Sequence, residues 1–126
     1  MVHTVAEATT DEAYVEVTVT VGGSLPNNIV ALCNPAGGTY GLRLAADTLT
    51  LRVGSGTPDT ALASVPVTPT LPHRLRLERQ GSTLRGYLDG VLMLTAADST
   101  YTGCRRGAIL GGRWTVRLDD FEMGDL

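Results

Sequence analysis

The sequence predicts an all-β protein, an antiparallel β-sandwich, jelly roll or barrel, and three observations carry the prediction. The stretch from His73 to Thr95, HRLRLERQGSTLRGYLDGVLMLT, holds three apolar-rich runs separated by two sets of turn residues. Leu75 and Leu77 alternate with Arg74, Arg76 and Glu78, and Leu84 and Leu88 alternate with Arg85 and Tyr87, which is the period-two signature of a strand with one buried face. Gln80-Gly81-Ser82 and Asp89-Gly90 connect these runs into a meander, Asp-Gly supplying the positive φ angles of a tight hairpin. No stretch of useful length has helical periodicity, while fifteen Gly, six Pro and many Thr and Val suit short strands broken by turns.

In chain order, residues 1–12 have no sustained pattern and are expected to be a polar lead-in to a single domain over 13–126. In AYVEVTVTV, Val15, Val17, Val19 and Val21 share one face and Tyr14, Glu16, Thr18 and Thr20 the other, in residues of high β-propensity. After Gly22-Gly23-Ser24 and Pro26-Asn27-Asn28, the apolar run Ile29 to Cys33 predicts a strand covered on both faces. Tyr40, Leu42 and Leu44, then Leu49, Leu51 and Val53, predict a hairpin. Thr60 to Val65 is a short strand, and Pro66, Pro69 and Pro72 keep the segment after it from pairing as a central strand. Beyond the meander, a polar loop over Ala96 to Gly103 leads to a strand at Cys104 to Leu110. A last strand with Trp114, Val116 and Leu118 on its core side runs out at Asp119-Asp120-Phe121.

The totals exclude some functions. A net charge of -3 and a pI near 5.2 disfavour nucleic acid, whose binding needs a strongly basic surface to release phosphate counterions. The longest apolar run falls far short of the roughly 20 residues that cross a bilayer, and the first residues have neither a basic start nor an apolar signal core, so no membrane is expected. Cys33 and Cys104 are not spaced as metal ligands and are expected reduced and buried. Every basic residue apart from His is Arg and none is Lys, a hint of a GC-rich coding genome.

From Ala13 onward the chain resembles the concanavalin A-like lectin and glucanase superfamily, in particular laminin G-like jelly rolls. The resemblance is carried by AYVEVTVTV, by TYGLRLAADTLTLRV as a hairpin, by HRLRLERQGSTLRGYLDGVLML with its Asp-Gly turn, and by the closing RWTVRLDDFEMGDL. Such modules are common in virion and tail proteins of phages infecting actinobacteria. The resemblance therefore implies a concanavalin A-like jelly roll and a non-enzymatic structural role in a virion, with other virion or assembly proteins as partners. The alternatives are an extracellular lectin-like module that binds a glycan and, further off, a glycoside hydrolase relative. His73 stands where many relatives have a Trp that starts the strand. The family's leading strand is expected to be missing, leaving an open sheet edge through which the chain would form a homo-oligomer or pair with a neighbouring strand.

Retaining glucanases of this superfamily carry E-x-D-x-E on one strand to set two carboxyl groups about 5 to 5.5 Å apart. This chain has no such motif; Glu16 is a lone acid on its strand, and Asp120 and Glu122 are the only alternate acids. His3 and His73 lack a nucleophile elbow. No enzyme and no cofactor are therefore expected, with calcium held open at Asp119, Asp120 and Asp125, because a hard cation takes several oxygens. The candidate ligand-binding residues are Arg43, Arg52, Arg74, Arg76 and Arg85, with Tyr87 beside Arg85; Arg113 and Arg117 share their outward parity. Guanidinium forks in a strip would suit carboxylates, while Glu16, Glu78 and Asp119 would balance them. Tyr14, Tyr40, Tyr87 and Tyr101 are the candidates for an aromatic sugar platform.

Overall fold

The computed structural model describes residues 2–7, 12–21, 28–44, 48–55, 60–67, 73–110 and 117–126. They form eleven strands and no helix: β1 (Val2–Glu7), β2 (Ala13–Val21), β3 (Asn28–Cys33), β4 (Gly38–Leu44), β5 (Thr48–Ser55), β6 (Thr60–Pro66), β7 (His73–Gln80), β8 (Thr83–Leu88), β9 (Val91–Ala97), β10 (Arg106–Leu110) and β11 (Arg117–Asp125). One antiparallel sheet has the order β1-β10-β3-β4-β5-β6 and the other β11-β2-β7-β8-β9.

The alternation predicted from the sequence is what joins the sheets. Val15, Val17, Leu75, Leu77, Leu84 and Leu94 of the five-stranded sheet meet Val30, Leu32, Tyr40, Leu42, Leu49 and Leu51 of the other in one buried cluster. Each such side chain stabilises the fold by about 1.5 to 3 kcal/mol. At Gly86 the sheets press so close that a Cβ would come within 2.7 Å of a Leu42 methyl group. The Asp89-Gly90 hairpin has the expected backbone, with φ of 53° and 81°, and Asp89 also accepts from the Arg74 amide at 2.8 Å. On β3, Val30, Ala31 and Leu32 are all buried, as a strand covered on both faces should be.

Two sequence expectations are corrected. Residues 2–7, expected in a patternless lead-in, form β1, which pairs with β10 at the edge where a leading strand was thought missing. Its residues do not alternate cleanly, and the register slips between Thr4 and Ala6, so period two could not find it. The last strand does not stop at Phe121: β11 runs on to Asp125, with a register shift between Asp119 and Glu122. Trp114 and Arg113 lie outside the described residues.

A bulge on β9 has a consequence for the surface. Gly86 faces Leu94 but Tyr87 faces Leu92, so Met93 is the extra residue. Strict alternation would put Leu92 in the core beside Leu94; the bulge moves it to the outer row next to Tyr87, where it is 48% exposed.

The 98–105 connection is latched across the end of the sandwich. The buried Tyr40 hydroxyl donates to Asp98 Oδ1 at 2.7 Å and accepts from the Tyr101 amide at 3.1 Å. Asn34 Nδ2 donates to the Thr102 carbonyl at 3.1 Å. Arg79, on the same face of β7 as Leu75 and Leu77 and almost fully buried, donates from Nη2 to the Tyr101 carbonyl at 3.0 Å, with its guanidinium 5.6 Å from the Tyr40 ring centre. Neither cysteine forms a disulfide; Cys104 is buried and Cys33 half-buried, and burial pushes the Cys33 thiol up against the opposing pull of Thr39 and Arg106.

Candidate functional site

The outward arginines do not form one strip. Arg43 on β4 and Arg52 on β5 belong to the six-stranded sheet, whereas Arg74, Arg76, Arg85 and Tyr87 on β7 and β8 belong to the five-stranded one. The sandwich separates the two groups onto opposite faces, because parity fixes only in or out and not which sheet. Arg43 stands opposite Thr50, two positions along β5 from Arg52. Its pKa is lowered by burial first and then by the Arg52 charge.

On the five-stranded sheet the strands β2, β7 and β8 set the residues in rows. Glu16, Arg76, Tyr87 and Leu92 lie in one row, and Tyr14, Glu78 and Arg85 in the next. Arg76 is the centre: Nε contacts Glu78 Oε2 at 2.7 Å, Nη1 reaches Glu16 Oε2 at 3.4 Å, and the guanidinium lies 4.0 Å above the Tyr14 ring. Glu16 also takes Arg74 Nε at 2.8 Å, while Arg74 Nη1 donates to Thr18 Oγ1 at 2.8 Å. Burial disfavours the charge on Arg76, but Glu78 and Glu16 outweigh it and its pKa is raised. The Tyr87 hydroxyl is pushed up by burial and then by the charge and hydrogen bond of Glu78. Arg85 reaches Gln80 Oε1 at 3.2 Å.

This face is therefore a partly balanced array of charges on three strands, with Glu16 and Glu78 paired to Arg74 and Arg76. Glu16→Gln should cost about 1 kcal/mol, since partly buried pairs exceed exposed ones only modestly, and the cost should shrink in high salt. Chemical denaturation of both proteins at low and high salt measures it; a loss that salt does not change would mean that packing rather than charge sets the role of Glu16.

The other candidates fall elsewhere. Tyr40 is fully buried and Tyr101 meets its ring edge-on at 6.0 Å in the end latch, so neither belongs to this face. Tyr40 shares parity with Leu42 and Leu44, a signal that could have placed it in the core. Asp119 sits opposite Thr18 and Asp125 opposite Ala13, about 20 Å apart along β11 at about 3.3 Å per residue, so Asp119, Asp120 and Asp125 do not converge. The register of β11 against β2 also shifts between Asp119 and Glu122. Among the described residues no group of three or more His, Cys, Asp or Glu is placed to hold a metal. The sequence reading missed Leu92, exposed by the bulge, and Arg79, which two-residue spacing from Leu75 and Leu77 would have placed inward.

No family model and no curated protein matches the sequence. Solved structures do. The carbohydrate-binding module CBM66 from Bacillus subtilis superposes with a TM-score of 0.71 at 17% identity, over 90% of this chain and 74% of that one. Sheep galectin-11 gives 0.70 at 10% identity, over 98% and 96%. A sucrose-6-phosphate hydrolase from Lactobacillus gasseri gives 0.61 at 11% identity, over 84% of this chain but 23% of the enzyme. At such identities the likeness speaks for the fold, and with two facing antiparallel sheets and no helix among the described residues the fold is a jelly-roll sandwich.

Proposed function

We propose that this protein is a non-enzymatic, lectin-like carbohydrate-binding module whose ligand lies across Tyr87, Arg76 and Tyr14 on the outer face of the five-stranded sheet. The observation that carries the proposal is the Arg76 guanidinium, stacked on Tyr14 and fixed by Glu16 and Glu78 beside Tyr87 and the exposed Leu92. A sugar ring has apolar C–H faces and hydroxyl edges. An aromatic and aliphatic surface flanked by donors and acceptors held on rigid strands suits both, with little ordering required on binding. The fold's likeness to a carbohydrate-binding module and a galectin supports the same class. Against hydrolysis stand the missing E-x-D-x-E motif and the engagement of Glu16 and Glu78 by arginine.

A glycan array followed by calorimetric titration of the best ligand tests the proposal. Tyr87→Ala should weaken binding about tenfold or more, equivalent to roughly 1.4 kcal/mol, with an unchanged melting temperature. Binding that survives Tyr87→Ala but disappears in Arg43→Ala or Arg52→Ala would move the ligand to the opposite sheet. A protein-contact module in a virion ranks second. What supports it is the Lys-free composition and the resemblance to laminin G-like phage modules, and it would place the chain in a particle rather than outside a cell.

A further inference from the structure

The outward arginines of β7 and β8 differ in what they touch. Arg74 and Arg76 share Glu16 at 2.8 Å and 3.4 Å, and Arg76 also takes Glu78 at 2.7 Å. Arg85 stands directly opposite Glu78 in the β7/β8 register, where opposite charges ordinarily pair across the strands. They do not pair here. Glu78 is held by Arg76 Nε and by the Tyr87 hydroxyl, and Arg85 turns to Gln80, donating from Nη1 to the neutral Oε1 at 3.2 Å. Of Arg74, Arg76 and Arg85, the last is the one whose guanidinium bonds to no carboxylate among the described residues. Its other edge, Nε and Nη2, carries the two parallel N–H groups that fit a carboxylate side-on. Thr95, opposite Arg85 on β9 and exposed, adds a hydroxyl on the far side. Tyr87 lies two residues on, about 7 Å along the same strand, with the exposed Leu92 beside it.

We infer that the sugar taken by this face is acidic, a uronic acid whose carboxylate sits side-on against Arg85 while its ring lies on Tyr87. The inference rests on the carbohydrate reading and narrows it to a class of ligand. Arg85 and Tyr87 are close enough for one sugar residue to reach both. A neutral sugar offers the Arg85 fork only hydroxyl oxygens, whereas a uronate offers it two charge-assisted hydrogen bonds, each roughly twice as strong as a neutral one. The net charge of -3 opposes an anion only at long range, because exposed charges are largely screened beyond about 8 Å in physiological salt, while guanidinium and carboxylate meet at about 2.8 Å. Contact therefore decides. The same comparison separates the three arginines: an anion approaching Arg74 or Arg76 must compete with Glu16 and Glu78, and one approaching Arg85 displaces at most the neutral Gln80.

The test is an array of neutral oligosaccharides printed beside the same chains with their primary alcohols oxidised to carboxylates or esterified with sulfate, followed by calorimetric titration of the best-binding set. The oxidised form should bind about tenfold or more tightly than its neutral parent. Arg85→Gln should reduce that preference to about twofold or less while keeping the neutral parent's affinity and the melting temperature. Arg85→Lys, which retains the charge but not the fork, should lose most of the preference as well. Arg43→Gln, on the opposite sheet, removes the same net charge and should leave the preference intact. Equal affinity for neutral and oxidised forms, with Tyr87→Ala weakening both, overturns this inference and leaves the carbohydrate reading standing. A preference that survives either Arg85 variant, or a sulfated form that binds most tightly, overturns it too, and binding to no form of any chain overturns both.

Discussion

Gly38→Ala is expected to lower stability by about 3 kcal/mol, at the upper end of what overpacking one methyl group costs. A Cβ there would fall 2.3 Å and 2.5 Å from two ring carbons of Tyr101 and 2.7 Å from Asn34 Nδ2. Neither neighbour can yield cheaply. The Tyr101 backbone is held at both ends, its amide by the Tyr40 hydroxyl and its carbonyl by Arg79. The Asn34 amide group bridges the two sides of the latch, accepting from the Gly38 amide at 2.6 Å and donating to the Thr102 carbonyl. The penalty is steric, since Gly38 is not among the residues with positive φ. In a chain of this size the thermal midpoint should fall by about 10 °C. Gly90→Ala makes the contrast: its φ of 81° strains any side chain but nothing lies within 4 Å of the added atom, so its cost should stay near 1 kcal/mol. If ring overlap is the cause, adding Gly38→Ala to Tyr101→Ala should cost much less than adding it to the wild type. Additive losses in that double-mutant cycle would sink the explanation.

How far the sequence carries depends on which physical question is asked. Whether a residue faces in or out is local, and period two answered it for Val15, Val17, Leu75, Leu77 and Leu84, which is why the sandwich was legible. Which sheet a strand joins is not local. Arg52 and Arg85 have the same outward parity, yet pairing with β4 sends one to the six-stranded sheet and pairing with β7 sends the other to the opposite face. Bulges defeat the pattern in a third way, because one extra residue reverses every later assignment. Met93 did this to Leu92. β1 escaped because an edge strand with one neighbour needs less regular alternation than a central one. The charge balance around Arg76 was partly visible, Glu16 and Glu78 having been assigned its outer face, but the stacking of Arg76 on Tyr14 needed the register of β2 against β7.

Tyr40→Phe should cost about 2 kcal/mol, and the loss should carry a pH signature that a packing defect lacks. The substitution keeps the buried ring but removes the hydroxyl, leaving the Tyr101 amide without its acceptor and Asp98 with the Thr100 donors but not that of Tyr40, each in a site partly shielded from water. In the folded protein the Tyr40 pKa is pushed from the ordinary 10.0 to about 12, by burial first and further by the hydrogen bond and charge of Asp98, against the pull of the Tyr101 amide and the Arg79 charge. Below pH 10 the hydroxyl is protonated whether the chain is folded or not, so its contribution is fully present. Between about pH 10 and 12 the unfolded chain releases this proton and the folded chain keeps it, so stability must fall as pH rises. The raised Tyr87 and Cys33 groups act in the same direction, and the difference between wild type and Tyr40→Phe isolates Tyr40. At the acid end the sign reverses. Burial works to raise the Asp98 pKa, but hydrogen bonds from Tyr40 and Thr100 prevail and hold it below the usual 3.8, so it stabilises the fold above that pH and the contribution is lost as pH falls through the depressed value. Removing the Tyr40 donor should shrink this acid limb as well. Urea unfolding from pH 2 to 11.5 should therefore show the two proteins farthest apart near neutrality and converging at both extremes; a constant gap across the range would mean that the hydroxyl acts through packing alone.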